Sequence, residues 1–226
     1  MLKIVFTVIK RDLRLAMRRR AELLTVIFFF IISVSLFPIA MGPETEQEAR
    51  MLKEIAPIII WISALLATML SLGQMFSSDY QDGTLEQLIL IPQPFSLIVF
   101  GKIIAHWLVA GLPLVLIAPL LGMQLGLSVP EQLVLMLTLL MGTPALSLIG
   151  AMGAGLTLGL RNSNILVSLL VLPLYVPVMI YGAGSVEAYA TGLGFKAHMA
   201  LMSAVLLLTL ILLPWAAATA VRISME

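Results

Sequence analysis

Six long apolar runs limit what this chain can fold into. Each has enough residues, about 20, to cross roughly 30 Å of hydrocarbon as a helix. They are predicted at 23–41, 55–75, 103–127, 133–160, 165–183 and 199–221. Of the 226 residues, 61% are hydrophobic and 11% are charged, so a water-soluble domain would expose most of its apolar surface. We therefore expect an all-α integral membrane protein with one transmembrane domain over residues 1–226.

The distribution of lysine and arginine predicts the orientation of these crossings. An even number of crossings places both termini on one side, together with the loops after the second and fourth crossings. Ten Lys and Arg residues fall on this side, and three fall on the other: Arg50, Lys53 and Lys196. The positive-inside rule therefore predicts cytoplasmic termini. The basic stretch of about twenty residues is too long for a cleaved signal peptide, and no small-residue cleavage site follows Met41.

The first 22 residues predict an amphipathic helix on the cytoplasmic membrane surface. At a period of 3.6 residues, one face is apolar: Leu2, Val5, Phe6, Ile9, Leu13 and Met17. Another face is cationic: Lys3, Lys10, Arg14 and Arg18. The cations alone could serve only to set the topology. Because the apolar stripe is not needed for that purpose, the pattern favours a helix lying in the plane of the leaflet.

The segment between the first two crossings, residues 42–57, predicts a short solvated helix without chemistry. Thr45 and Glu48 have the spacing of a capping box. Ion pairs at helical spacing are predicted between Glu46 and Arg50 and between Arg50 and Glu54.

Prolines and glycines predict kinks and close packing within the crossings. We expect the fourth and fifth crossings to be the most irregular, with residues 142–144 (Gly-Thr-Pro) breaking the fourth. Further along the fourth crossing, small-residue faces are formed by Gly150, Gly153, Gly155 and Gly159. These faces indicate either a seam between two copies of the chain or the ordinary abundance of glycine in membrane helices.

The apolar runs carry almost no charge. Asp, Glu, Lys and Arg are absent from 56–75, 104–129, 133–159 and 163–185. Because a charge within a bilayer is costly and is kept for function, this absence disfavours a proton-driven or sodium-driven carrier. The chain also lacks the GxxxxGK[ST] loop that cradles nucleotide phosphates. We therefore expect a non-catalytic subunit, and energy for any transport must come from another polypeptide.

The two histidines, His106 and His198, are the candidate ligands for haem or a metal. No cysteine is present, which excludes a thiolate site. The predicted topology places the histidines near opposite faces of the membrane, so they cannot form one site together. Each is either a ligand or a hydrogen-bonded histidine near the interface. We expect no metal or other directly bound cofactor, and His106 is the candidate for a haem contact.

One polar stretch, residues 76–102, interrupts the apolar sequence on the cytoplasmic side. It holds a turn signal, Asp82-Gly83, followed by a short amphipathic run from Thr84 to Ile91. We predict a loop that docks a cytoplasmic partner through Asp79, Tyr80, Asp82, Gly83, Thr84, Leu85, Glu86, Gln87 and Leu88. The charges predicted at its surface are Asp79, Asp82 and Glu86, and the predicted apolar anchors are Leu85, Leu88 and Ile89. The alternative is a solvated loop whose acids only keep it out of the membrane.

Several segments together resemble the heme exporter protein B (CcmB) family. They include RDLRLAMRRRAEL (11–23), DYQDGTLEQLILIPQP (79–94), GKIIAHW (101–107) and LVLPLYVP (170–177). The resemblance covers essentially the whole chain. It implies a permease of the ABC exporter type in the bacterial inner membrane, within the complex that matures cytochrome c.

The resemblance also implies partners and a role. The partners are the ATPase subunit CcmA, which binds ATP, a second copy of this chain, CcmC, CcmD and, indirectly, the haem chaperone CcmE. In related ABC permeases the loop after the second crossing contains the coupling helix, and residues 76–102 occupy that position. ATP hydrolysis would then help to release haem-loaded CcmE from CcmC. The alternatives are direct haem export through a path between two copies and a passive scaffold for CcmC. No nucleic acid is expected as a partner.

Overall fold

The computed structural model describes residues 2–42 and 45–225, and every regular element within these ranges is helical. The elements are α1 (Leu2–Arg18), α2 (Arg20–Met41), α3 (Glu46–Leu72), α4 (Gln74–Gln81), α5 (Thr84–Leu90), α6 (Phe95–His106), a π-helical segment (Trp107–Gly111), α7 (Leu112–Gln124), α8 (Val129–Leu156), α9 (Ser163–Ala190) and α10 (Lys196–Met225). Six helical stretches are long and apolar enough to cross a membrane, which confirms the predicted all-α membrane class. Within the predicted segment 42–57, Pro43 and Glu44 lie outside the described residues.

Helix α8 lies at the centre of the bundle and packs against α3, α7, α9 and α10. Its glycines allow this close approach. A Cβ atom at Gly150 would lie 2.6 Å from the Tyr175 hydroxyl, and one at Gly155 would lie 3.2 Å from the Ala217 carbonyl oxygen. Gly153 packs tightly against Val171. The small-residue faces of α8 are therefore used inside the chain, and the seam between copies that they suggested is not available at these three positions.

The most irregular crossing is the third, so the prediction for the fourth and fifth was wrong. Helix α8 continues through Pro144, and α9 continues through Pro173 and Pro177. The π-helical segment of the third crossing begins at Trp107, whose indole nitrogen donates to the Thr143 hydroxyl at 3.0 Å. In contrast, Gly142 does not end helix α8. It provides room for the Trp61 ring, which packs against it. The half-buried Trp107 ring also packs against the backbone at Gly111, where an added Cβ atom would lie 2.6 Å from Trp107 Cδ1, and this close contact explains the wider turn.

The capping box at Thr45 and Glu48 is confirmed, and the Arg50 guanidinium lies 3.8 Å from the Glu46 carboxylate. Of the two predicted ion pairs, this is the one formed among the described residues. The prediction of a separate short helix was wrong, because α3 runs without interruption from this exposed turn into the crossing. Pro57 does not end the helix, because its side chain is buried against the bundle and packing offsets the lost hydrogen bond.

Two ends of the bundle can be distinguished. At one end, which we name the basic end, the Ser224 hydroxyl donates to the Gly155 carbonyl at 2.8 Å, and the Arg222 guanidinium lies 5.6 Å from the centre of the Phe95 ring. At the opposite end, Lys53 forms an ion pair with Glu131 at 3.1 Å. The order of the crossings places ten lysine and arginine residues at the basic end, as the sequence predicts.

Helix α1 also lies at the basic end and packs mainly against α6. Val5 and Val8 are buried there, and a Cβ atom at Gly101 would lie 3.0 Å from Cβ of Val8. Between α1 and α2, Arg19 leaves the helical conformation, with φ −100° and ψ 48°. The predicted amphipathic helix is therefore present as a separate element. The side chain of Leu2 lies outside the described part of the chain.

Candidate functional site

Two short helices, α4 and α5, form the polar loop at the basic end. Helix α4 continues the second crossing beyond Gly73, and the chain then turns at Asp82-Gly83. The predicted turn is confirmed, because Gly83 has φ 69°, a left-handed conformation that glycine adopts at little cost. Helix α5 then covers Thr84–Leu90, which matches the predicted amphipathic run to within one residue. A loop of this form presents a short helix at the end of the bundle.

The apolar residues of α5 do not all face outwards. Leu85 is fully buried in the core of the chain, and Leu88 and Ile89 are partly buried against it. Leu90, which was not among the predicted anchors, is 83% exposed. The prediction of Leu85 as a surface anchor was wrong, because its position in a seven-residue helix turns it towards the bundle. Leu90 is the apolar side chain of this helix that a partner can reach.

Asp79 is not a surface charge either, because it is ion-paired inside the chain. Its carboxylate lies 2.5 Å from the Lys102 ammonium and 2.5 Å from the Arg11 guanidinium. Lys102 also contacts Asp12 at 2.9 Å, and Arg11 contacts Asp12 at 2.8 Å. We name these four side chains the ion cluster. The prediction that Asp79 supplies a charge to the docking surface was therefore wrong.

The ion cluster balances two positive charges with two negative ones. The side chains of Lys102 and Asp79 are only 5% and 7% exposed, and a buried charge is tolerated only when it is paired. Partial burial acts to lower the pKa of Arg11, but the carboxylates of Asp12 and Asp79 outweigh this effect and raise the pKa above its usual value. The Lys102 ammonium also lies 5.9 Å from the centre of the buried Phe76 ring. Each charged group of the cluster therefore has oppositely charged partners at 2.5–2.9 Å.

Sequence reasoning did not identify Arg11 and Asp12 as neighbours of the loop. One signal was present, because Asp12 is the only acidic residue among the first twenty. A lone acid within a strongly basic helix predicts a specific cationic partner. The identity of that partner could not be derived, since Lys102 is 90 positions away in the chain.

The other predicted docking residues lie at the surface or near it. Asp82, Glu86 and Gln87 are exposed, and Thr84 is half-buried. Tyr80 is partly exposed, and its hydroxyl would lie 3.1 Å from a Cβ atom at Gly159. We name the exposed residues of this turn and helix the docking strip: Asp82, Glu86, Gln87, Leu90 and Ile91.

The predicted cations of α1 are all exposed: Lys3, Lys10, Arg14 and Arg18. Phe6 and Met17 are also exposed, whereas Ile9 and Leu13 are half-buried. The predicted apolar face is therefore divided between packing on α6 and contact with the surroundings. This geometry suits a helix that rests at a membrane surface, where apolar side chains enter the lipid and cations meet the head groups.

His106 is held between two serines. Its Nε2 lies 2.8 Å from the Ser71 hydroxyl, and its Nδ1 lies 3.1 Å from the Ser147 hydroxyl. The Ser71 hydroxyl donates its proton to the Thr68 carbonyl, so it accepts a hydrogen bond from the imidazole Nε2–H. The Nδ1 lone pair then accepts from Ser147. Both ring nitrogens are engaged, and iron could bind only if one of these bonds broke.

His198 lies at the opposite end of the bundle, at the start of α10, as the predicted topology requires. Its Nδ1 is buried without a hydrogen-bond partner among the described residues. No group of three His, Asp or Glu side chains within residues 2–42 and 45–225 converges as a metal site.

A cavity of about 410 Å³ opens between the α1–α2 junction, α4 and the third crossing, and three residues of the ion cluster line it: Asp12, Asp79 and Lys102. Arg19, Glu22 and Asp82 line it, and His106 lies at its wall. The cavity therefore places open space and charged side chains at the base of the loop.

The chain is similar to known proteins along nearly its whole length. A family model described as CcmB protein matches residues 3–224. A protein of Pseudomonas aeruginosa named heme exporter protein B is 46% identical over 214 residues, which cover 95% of this chain and 94% of the relative. Proteins of the same name are 43% identical in Haemophilus influenzae (99% of both chains) and 43% identical in Escherichia coli K12 (97% of this chain and 98% of the relative).

Proposed function

The chain belongs to the CcmB family, and from this premise we propose that it is the membrane subunit of an ABC-type complex for cytochrome c biogenesis. In this proposal the chain lies in the bacterial inner membrane with both termini cytoplasmic, and the ATPase subunit CcmA binds the docking strip. The observation that carries the proposal is the short helix α5, which exposes Leu90 and Glu86 while Leu85 fixes it to the core. A helix of this kind can receive a partner and still transmit force.

Force applied to α5 would reach two crossings directly. Helix α4 continues the second crossing beyond Gly73. After α5 the chain enters the third crossing at Phe95. A partner that binds α5 differently in its ATP and ADP states would shift the arrangement of these helices by the difference in its affinity. The proposed output is the release of haem-loaded CcmE from CcmC, within an assembly that also contains CcmD.

The docking strip can be tested with alanine variants and a matched leucine control. Leu90→Ala and Glu86→Ala should each weaken co-purification with CcmA, and Leu90→Ala should do so by about tenfold, or ~1.4 kcal/mol, as expected for an apolar anchor. The control is Leu193→Ala, because Leu193 is 85% exposed at the opposite end of the bundle. Binding and ATP hydrolysis rates that stay unchanged in the Leu90 and Glu86 variants would exclude docking at this strip.

Direct haem export is the second candidate, because the relatives are named heme exporter protein B. The hydrogen bonds of His106 to Ser71 and Ser147 count against a resident haem ligand at this position. A haem absorption spectrum of the purified chain distinguishes the two functions. A Soret band that disappears in His106→Ala would support export, whereas a coupling subunit predicts no such band.

We further propose two copies of this chain in the complex, each with one CcmA. Native mass spectrometry of the purified assembly counts the copies directly. One copy per assembly would instead mean that a different membrane subunit occupies the second position.

A further inference from the structure

The surface helix α1 packs more closely against α6, at the start of the third crossing, than against the first crossing. Val5 and Val8 are buried against α6, which begins where the loop ends. Towards α2, by contrast, the helical conformation is interrupted at Arg19. A single non-helical residue is a natural pivot, because its backbone dihedrals can change without disturbing a packed face. Helix α1 is therefore free to follow α6 rather than α2.

The ion cluster adds a second and more specific attachment. Arg11 and Asp12 belong to α1, Asp79 belongs to α4 at the start of the loop, and Lys102 belongs to α6. Each carboxylate contacts both cations, so three separate elements share one network. Removing a member leaves a charge without its partner in a buried position, which is costly. The three elements are therefore difficult to separate one at a time.

We propose that Arg11, Asp12, Asp79 and Lys102 are positioning residues that lock α1 to the coupling loop, so that the loop and the surface helix move as one rigid body. This inference rests on the proposed function for its second half, the movement of the loop by a nucleotide-binding partner. The attachment itself is a property of this chain alone. Its consequence is that the ATP cycle displaces a helix lying on the membrane surface as well as the crossings.

The absence of cysteine makes the test direct, since paired cysteines can be introduced for spin labels at chosen sites. One pair, Lys10 and Gln81, measures the distance between α1 and the loop. A second pair, Gln81 and Leu156, measures the distance between the loop and the central helix. All three positions are exposed. Distances are measured by double electron–electron resonance on the whole chain in lipid nanodiscs, alone and with the ATPase partner.

The informative variant is the double substitution Asp79→Leu with Lys102→Met. It removes the link between α1 and the loop but leaves Arg11 paired with Asp12, and replacing a buried ion pair with apolar residues is often neutral for stability. We expect an unchanged melting temperature and a distribution of Lys10–Gln81 distances about twofold broader, because two locally stable units are no longer coupled. Asp79→Glu should keep the narrow distribution. Gln93→Ala, which alters an exposed side chain of the same loop outside the docking strip, is the control.

With the partner present, nucleotide should shift the Gln81–Leu156 distance while the Lys10–Gln81 distance stays constant. The proposal is overturned if the double variant keeps a narrow distribution of Lys10–Gln81 distances. It is also overturned if nucleotide shifts the Lys10–Gln81 distance in the chain whose ion cluster is intact. A Gln81–Leu156 distance that ignores nucleotide would refute the proposed function instead, and the measurements without the partner would still decide whether the ion cluster is a lock.

Discussion

At the scale of single residues, the largest buried side chain of the core depends on two glycines. The Trp61 ring is fully buried and lies directly against Gly142 of α8 and Gly182 of α9. In each case a Cβ atom would overlap the indole ring. Three helices therefore meet at one aromatic side chain, and the absence of two methyl groups sets the distance between them.

This contact predicts a measurable cost for a single added carbon. Gly182→Ala should lower the free energy of unfolding by about 1–3 kcal/mol, because overpacking forces the ring or the helices to shift. Ala200→Val, at an exposed position of α10, is the matched control for added volume. Thermal unfolding in detergent compares the two variants. Equal melting temperatures would show that the bundle absorbs the extra methyl group.

At the scale of elements, α1 combines three surfaces in seventeen residues. Val5 and Val8 pack on α6, and the ion cluster binds the loop. The remaining surface pairs exposed apolar residues, such as Phe6, with exposed cations, such as Lys10. The helix is thus suited to rest on lipid and bind protein at the same time.

A membrane-surface position predicts different environments for neighbouring faces of α1. Spin labels at Phe6 and Met17 should be more accessible to oxygen, which concentrates in lipid, than to an aqueous nickel chelate. Labels at Lys10 and Arg14 should show the reverse order, because basic side chains of an interfacial helix face the head groups and water. Power-saturation measurements in vesicles give both accessibilities. Four labels with the same preference would place the helix away from the membrane surface.

At the scale of the whole molecule, charge is distributed unequally between the two ends. Helix α1, the last turn of α10 and the docking strip lie at the basic end, whereas Leu193 and the Lys53–Glu131 ion pair lie at the opposite end. The excess of cations at the basic end predicts that this end faces the cytoplasm. The proposed contact with an ATPase requires the same orientation.

Cysteine labelling tests this orientation in intact cells. A membrane-impermeant maleimide applied to spheroplasts should modify Leu193→Cys and should modify Gln87→Cys only after the membrane is opened. Both side chains are exposed, so accessibility from the two sides of the membrane decides the result. Labelling of Gln87→Cys in sealed spheroplasts would reverse the topology and exclude a cytoplasmic partner at the docking strip.

The features that depend on local pattern could be predicted from the amino-acid sequence. Runs of apolar residues specify the six crossings, Thr45 and Glu48 specify a cap, and Gly83 specifies a turn, because each signal acts over a few neighbouring residues. The resemblance read from its motifs was confirmed by the family match over residues 3–224.

Which side chains face inwards and which distant residues meet became evident from the packing of the helices. Asp79 and Leu85 are residue types that a docking surface commonly uses. In the structure, however, Asp79 is paired with Lys102 and Leu85 is buried in the core. The π-helical segment likewise depends on Trp107 meeting Thr143 of another crossing. Burial and pairing arise when elements far apart in the chain pack together, and a short stretch of sequence does not contain that information.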